Sequence, residues 1–307
     1  MDRLENIIKI QQNRSKEIRL TDYKQRIRKI DLIVDWIYSN TEKIHNALHQ
    51  DLAKPGLEVD IAEIWVTIDI AKNIKQNLKR WMQPKRVSSA LPVIFAKSSI
   101  EYYPKGLSLI IAPWNYPFQL CVAPLMYSIA AGNCSIIKPS ESTPETSELV
   151  FDMVKELFEE NEVAVIEGDK EVAKQLLEKP FNHIFFTGSD KIGRKVLKAS
   201  SGNLSSITLE LGGKSPLVID RGFNLSKVIN RLIPTKFINL GQSCIAPDHI
   251  FIHRDDYSKF IDDLQSSIDQ TYGKGFDMQI KSKSLARIVN KHHFSRLVDL
   301  IRHNKDS

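Results

Sequence analysis

The sequence predicts an α/β protein in which a parallel, helix-covered sheet is followed by a second, shorter α/β unit. Two observations carry this reading. Between residues 106 and 211 short apolar runs alternate with stretches of helical apolar spacing, at lengths that suit strand–helix–strand units. Each apolar run then ends in polar or Gly-rich sequence, as expected where a parallel sheet presents its ligand-binding edge. Composition agrees: 307 residues, 42% hydrophobic and 26% charged, with 13 Gly, 13 Pro and three Cys, exclude collagen-like, disordered and disulfide-stapled chains. The length suits about two domains.

The elements follow in order. Residues 1–83 read as helices, because Ile27, Ile30, Val34 and Ile37, then Ile44, Ala47 and Leu48, recur at three- and four-residue steps. His45 and His49 share that spacing, but the Glu of a metalloprotease motif is missing and no third ligand stands out, so no metal is expected. Over residues 84–105 the helical period fails, and the run after Pro92 suggests an extended arm or hairpin. Residues 106–210 form the predicted sheet domain. Its strands cover 107–112, 134–137, 163–166, 183–186 and 207–211, joined by helices that end at Ala131, begin after Pro144, span 171–177 and start at Asp190. Right-handed crossovers are expected between them. Residues 211–307 hold a strand at 217–219, a helix through Leu240, the segment Gly241-Gln242-Ser243-Cys244, a strand at 250–253 and amphipathic helices. Pro234 within that first helix is an oddity that a kink accommodates.

No apolar run of signal-peptide or membrane-span length is present, and an odd number of cysteines suits a reducing, cytoplasmic setting. The formal charge is +6, and residues 1–30 carry nine Lys/Arg against four Asp/Glu. Such a stretch can attract nucleic acid or anionic lipid, but apart from Tyr23 it lacks interleaved aromatics, so a solvated helix face is the expectation.

Four strand ends and one loop carry chemistry. Thr187-Gly188-Ser189-Asp190-Lys191-Ile192-Gly193 lies between a strand and a helix, where free N–H groups and the helix dipole favour a pyrophosphate, though a left-handed turn would also explain one glycine. Lys138 and Glu141 offer a cation and a ribose acceptor, or else a solvated turn with Glu141 at a helix start. Cys244 stands in a small, polar segment, whereas Cys121 and Cys134 lie in apolar runs and read as packing. An accessible thiolate that adds to a carbonyl needs an oxyanion donor and a base; Asn115 and Glu210, each at a strand end, have the right side chains.

Five blocks then resemble the aldehyde dehydrogenase superfamily, especially its fatty-aldehyde or class 3 branch: Ala112-Pro113-Trp114-Asn115-Tyr116-Pro117-Phe118, Ile137-Lys138-Pro139-Ser140-Glu141, Phe186-Thr187-Gly188-Ser189, Thr208-Leu209-Glu210-Leu211-Gly212-Gly213-Lys214-Ser215-Pro216, and Gly241-Gln242-Ser243-Cys244-Ile245-Ala246-Pro247-Asp248. The resemblance implies a Rossmann-type cofactor domain with an incomplete catalytic domain, and NAD- or NADP-dependent oxidation of an apolar aldehyde to a carboxylate. It implies Cys244 as nucleophile, Asn115 and the Cys244 N–H as oxyanion donors, and Glu210 as the base for water. Lys138 and Glu141 match ribose-holding positions. Gly188, Ser189 and Gly193 match the pyrophosphate turn, and Trp114 and Leu211 are further cofactor contacts. Glu210 argues against relatives that pass the acyl group to coenzyme A.

One departure stands against this likeness. The family's chain runs on into a Glu-x-Phe-Gly-Pro segment and a bridging strand that serves its dimer interface, and neither occurs by Ser307. The partners expected are therefore a small aldehyde, plus a second copy or a carboxy-terminal fragment. The competing reading is a remnant or subunit that binds cofactor without completing turnover.

Overall fold

The computed structural model describes residues 3–93 and 95–303, so the outer limits of the domain reading, residues 1 and 307, lie outside it. The leading helices are α1 (Arg3–Ile18), α2 (Tyr23–Ser39), α3 (Thr41–Leu52) and α4 (Gly56–Val59), which passes through a π turn (Asp60–Ile64) into α5 (Trp65–Trp81). Asp22 and Gln25 start α2 with a reciprocal capping box, each side chain accepting from the other's backbone N–H. Helix α3 stops at Ala53, whose φ of 47° is left-handed and rare for a residue with a Cβ. The arm is an antiparallel hairpin of β1 (Lys85–Val87) and β2 (Ser98–Ile100), largely exposed.

The central sheet is built from β3 (Leu107–Ile111), α6 (Gln119–Ala131), β4 (Cys134–Lys138), α7 (Pro144–Leu157), β5 (Val163–Val165), α8 (Lys170–Leu177), β6 (His183–Thr187), α9 (Asp190–Ser200) and β7 (Ser206–Glu210). All neighbours pair in parallel, in the order β5-β4-β3-β6-β7. The expected strands are all present with ends moved by a residue or two. The last stops at Glu210, which leaves Leu211 just past the sheet but still packed on its core.

Alternation along β3 shows how both faces are covered. Leu107, Leu109 and Ile111 pack with Ile7 of α1, Leu176 of α8 and Val196 of α9, while Ile110 joins Ile30 of α2, Leu48 of α3, Ile74 of α5, Val122 of α6 and Val150 of α7. Each such fully buried aliphatic side chain contributes about 1.5–3 kcal/mol. From β3 the chain winds outward through β4 and β5, then returns to β6 on the other side, so the sheet reverses direction between β3 and β6. Ligands of such sheets bind beyond the carboxyl ends of the strands at the point of reversal, which here is the ground between the loop after β3 and the turn after β6.

The second unit pairs β8 (Ser215–Ile219) in parallel with β9 (Pro247–Ile252) across α10 (Leu225–Phe237), and continues with α11 (Arg254–Tyr272), the single turn α12 (Phe276–Gln279) and α13 (Lys291–His303). Ile219, Ile229, Leu232 and Phe260 form its core, whereas Val218 and Phe251 on the other face are 71% and 58% exposed. Strand β9 starts at Pro247, earlier than the expected residue 250, because proline is acceptable at a strand's first position.

The helix expected to run through Leu240 ends instead at Phe237. Pro234 is carried inside it, and the chain breaks into a 3-10 turn (Ile238–Gly241) where Asn239 and Leu240 have φ of 49° and 52°. Hydrogen bonds from elsewhere offset that left-handed backbone: the Asn239 N–H donates to Glu58 at 2.7 Å, and its side chain donates to the Asn115 carbonyl at 2.7 Å. Among the described residues no helix is long and apolar enough to cross a membrane.

Candidate active site

Three backbone segments meet beyond the strand ends: residues 113–118 after β3, residues 211–214 after β7, and residues 241–246 before β9. Asn115 is fixed at both ends. Its carbonyl accepts from Lys54 Nζ at 3.1 Å and Asn239 Nδ2 at 2.7 Å, and its own Nδ2 donates to the Gln242 carbonyl at 3.0 Å. A side-chain amide carries two N–H groups, so one remains for a ligand. The buried Asn115 Oδ1 has no hydrogen-bond partner.

Cys244 follows Gln242 by two residues and is exposed, while Cys121 and Cys134 are buried. Burial pushes the Cys134 thiol up to about 12 and the Cys121 thiol higher still, which leaves both as poor nucleophiles. The loop after β7 runs so close to Cys244 that a Cβ at Gly213 would lie 2.2 Å from the Cys244 carbonyl oxygen. Only glycine fits there. Glu210 ends β7 three residues earlier, its carboxylate exposed and without a hydrogen bond or ion pair among the described residues, and its carbonyl accepts from the Gly188 N–H at 3.0 Å. The structure thus joins Asn115 to the Cys244 segment by a direct bond and Glu210 to it through the Gly213 contact.

At the end of β4, Lys138 is buried, with Nζ donating to the Pro139 carbonyl at 3.0 Å and to Glu141 Oε2 at 2.7 Å. Glu141 lies in an exposed turn ahead of α7, which starts at Pro144, so the solvated turn of the alternative reading is present, with Glu141 outside the helix. The left-handed-turn alternative for Gly188 and Gly193 fails, since neither has a positive φ. Neighbouring side chains crowd both: added Cβ atoms would meet the Phe186 ring at 2.6 Å and Leu211 Cδ2 at 2.8 Å. Ser189 caps α9, its Oγ accepting from the Ile192 N–H, and the buried Thr187 Oγ1 has no partner. An exposed helix N-terminus, a cramped glycine turn and an orphaned hydroxyl fit a pyrophosphate. Trp114 lies 4.6 Å from the His293 ring, and burial, with Arg296 and His292 nearby, lowers the His293 pKa.

Several residues here carry no sequence signal. Lys54 and Glu63, both with side chains 0% exposed, pair at 2.5 Å beneath the Asn115 loop. Tyr116, beside Ser243, has its hydroxyl pushed up to about 12 by burial. Gln242 also grips the segment before α13, donating to the Arg287 carbonyl at 3.0 Å and accepting from the Val289 N–H at 3.2 Å. A lysine just past a helix end reads as surface, and only tertiary packing buries it.

A parallel sheet wound outward in both directions from β3, with an exposed thiol in the unit that follows it, places the molecule among the doubly wound α/β folds. The chain belongs to the aldehyde dehydrogenase family, whose model matches residues 2–307. It is 39% identical over 278 residues to the 4,4'-diaponeurosporen-aldehyde dehydrogenase of Staphylococcus aureus, covering 91% of this chain and 59% of that one. It is 37% identical over 278 residues to aldehyde dehydrogenase family 3 member B3 of Mus musculus, covering 91% and 57%. The substrate-bound Staphylococcus aureus AldH structure superposes with a TM-score of 0.92 at 36% identity, covering 98% of this chain and 65% of that one. A Streptococcus pyogenes succinic semialdehyde dehydrogenase with NADP+ shares the fold, with a TM-score of 0.87 at 18% identity and coverage of 97% and 65%. The chain spans between 52% and 67% of the length of the curated relatives it matches.

Proposed function

We propose that the protein contributes the nucleophile and cofactor layer of an NAD(P)-dependent aldehyde dehydrogenase acting on apolar aldehydes, in the cytoplasm. The observation that carries this reading is the Asn115 Nδ2 bond to the Gln242 carbonyl, which sets an oxyanion donor two residues from an exposed thiol. The Cys244 thiolate adds to the aldehyde carbon, and the resulting alkoxide is held by the second Asn115 N–H and the Cys244 N–H. A bound nicotinamide would supply the hydride acceptor. Glu210 takes a proton from water, the hydroxide adds to the Cys244 thioester, and the C–S bond breaks to release a carboxylate and restore the thiolate. Lys138 and Glu141 would hold the adenosine ribose, and Gly188, Ser189 and Gly193 the pyrophosphate, with Trp114 and Leu211 alongside. Family membership and the named diaponeurosporen-aldehyde substrate of the Staphylococcus aureus relative support the aldehyde class.

We assign residues 106–210 to the cofactor, 211–307 to the catalytic unit, 1–83 to helices packed on the former, and 84–105 to the arm. The second reading, in which turnover needs a carboxy-terminal partner, is favoured by the uncovered face carrying Val218 and Phe251. Two measurements test both: cofactor binding by calorimetry, and cofactor reduction with a medium-chain aldehyde in native protein and Cys244→Ala. Aldehyde-dependent reduction that survives Cys244→Ala refutes the mechanism. Cofactor binding without reduction selects the second reading.

A further inference from the structure

We propose that Lys54 and Glu63 are positioning residues whose buried ion pair holds the 115–119 segment so that the Asn115 amide meets the oxyanion formed at Cys244. The inference rests on the oxyanion role given to Asn115 above. Burying two charges is costlier than burying apolar side chains of equal volume, so the pair is not accounted for by stability alone. What an apolar pair could not do is donate and accept hydrogen bonds, and both partners direct their remaining capacity at this one segment. Lys54 Nζ donates to the Asn115 carbonyl at 3.1 Å, and Glu63 Oε2 accepts from the Gln119 N–H, the first of α6, at 2.8 Å. The two anchors bracket the turn that carries the amide.

Backbone features on both sides are spent on reaching this arrangement. Lys54 follows the left-handed Ala53, and Glu63 sits in the π turn, a helix defect that recurs at functional sites. The same ammonium lies 4.5 Å over the ring of Tyr116, the residue next to Asn115. Asn239 Nδ2 shares the Asn115 carbonyl with Lys54, which ties this anchor to the turn that leads into Cys244. Neither Lys54 nor Glu63 is exposed to a substrate, so their effect passes through Asn115.

The test compares two reactions of Cys244 in the intact 307-residue chain, without cofactor. Acylation by p-nitrophenyl acetate passes through a tetrahedral oxyanion before p-nitrophenolate leaves. Alkylation by iodoacetamide displaces iodide directly and forms no oxyanion. The ratio of the two rates therefore reads the oxyanion donor separately from thiol access. In Asn115→Ala the ratio should fall about a hundredfold. In the double variant Lys54→Met with Glu63→Leu it should fall about tenfold or more, with alkylation within about twofold of native. Glu63→Gln should fall in the same direction by less, because Lys54 and the Gln119 N–H donate to different oxygens of Glu63, and the amide replaces one of them with an NH2 that cannot accept. If the double variant does not fold by circular dichroism, Glu63→Gln alone decides. A native ratio in these variants with a lowered one in Asn115→Ala overturns the proposal and leaves the oxyanion reading standing. A native ratio in Asn115→Ala overturns both. Equal losses of acylation and alkylation also overturn the proposal, since they mark a general collapse of the loop.

Discussion

Replacing Gly213 by alanine gives a direct measure of how closely the Cys244 segment is held. The new Cβ would stand 2.2 Å from the Cys244 carbonyl oxygen, whereas ordinary contact begins at 3.4 Å, so one of the two loops must retreat by about 1.2 Å. Gly213 has no left-handed φ, so the perturbation is steric and not conformational. A misplacement of about 1 Å at a reacting group costs up to about a hundredfold in rate. Both loops lie at the surface, so stability should change by no more than about 1 kcal/mol. Gly212→Ala is the matched control, because nothing lies within 4 Å of its added methyl. The assay is first-turnover acylation of Cys244 by p-nitrophenyl acetate, with thermal melting in parallel. Gly213→Ala should slow acylation by about 10- to 100-fold and Gly212→Ala by less than about twofold. Acylation by Gly213→Ala within twofold of native, with an unchanged melting curve, would refute the argument that this contact places the nucleophile.

Limited iodoacetamide treatment followed by peptide mapping should label Cys244 before Cys121 or Cys134, whose thiols burial holds protonated; early labelling at Cys121 would contradict the assignment. In a turnover-competent form, Glu210→Gln should keep the first-turnover burst of reduced cofactor while steady turnover drops about a hundredfold or more, and loss of the burst would point to another role. Glu162 tests the packing of α1 and α2. Burial pushes its carboxyl up, but the hydrogen bonds from Lys29 and Arg14 outweigh it and leave the carboxyl below its ordinary value of 4.5. A depressed folded pKa stabilises above the unfolded value and is lost as pH falls through the folded one. Glu162→Gln should therefore lower Tm by about 2–4 °C at neutral pH and converge with native protein in acid; a constant gap down to about pH 3 would exclude the ion-pair explanation.

Much of this molecule is legible in local patterns. Strand and helix order in residues 106–210 follows from apolar periodicity, because parallel strands buried on both faces must be continuously apolar and their crossover helices amphipathic. Cys244 could be told from Cys121 and Cys134 for the same reason, since apolar neighbours in sequence become the walls of a buried thiol. The helix stop at Phe237, the role of Gly213 and the Lys54–Glu63 pair were not legible. Their causes are contacts made across the fold: Lys54 reaches Asn115 over 61 positions, Glu63 reaches Gln119 over 56, Asn239 reaches Asn115 over 124, and Asn115 reaches Gln242 over 127. A residue's own neighbours determine whether it forms a helix or a strand and which face it buries. Which distant carbonyl or carboxylate takes its remaining hydrogen bonds is decided only when the sheet has closed and the loops beyond its strand ends are brought together.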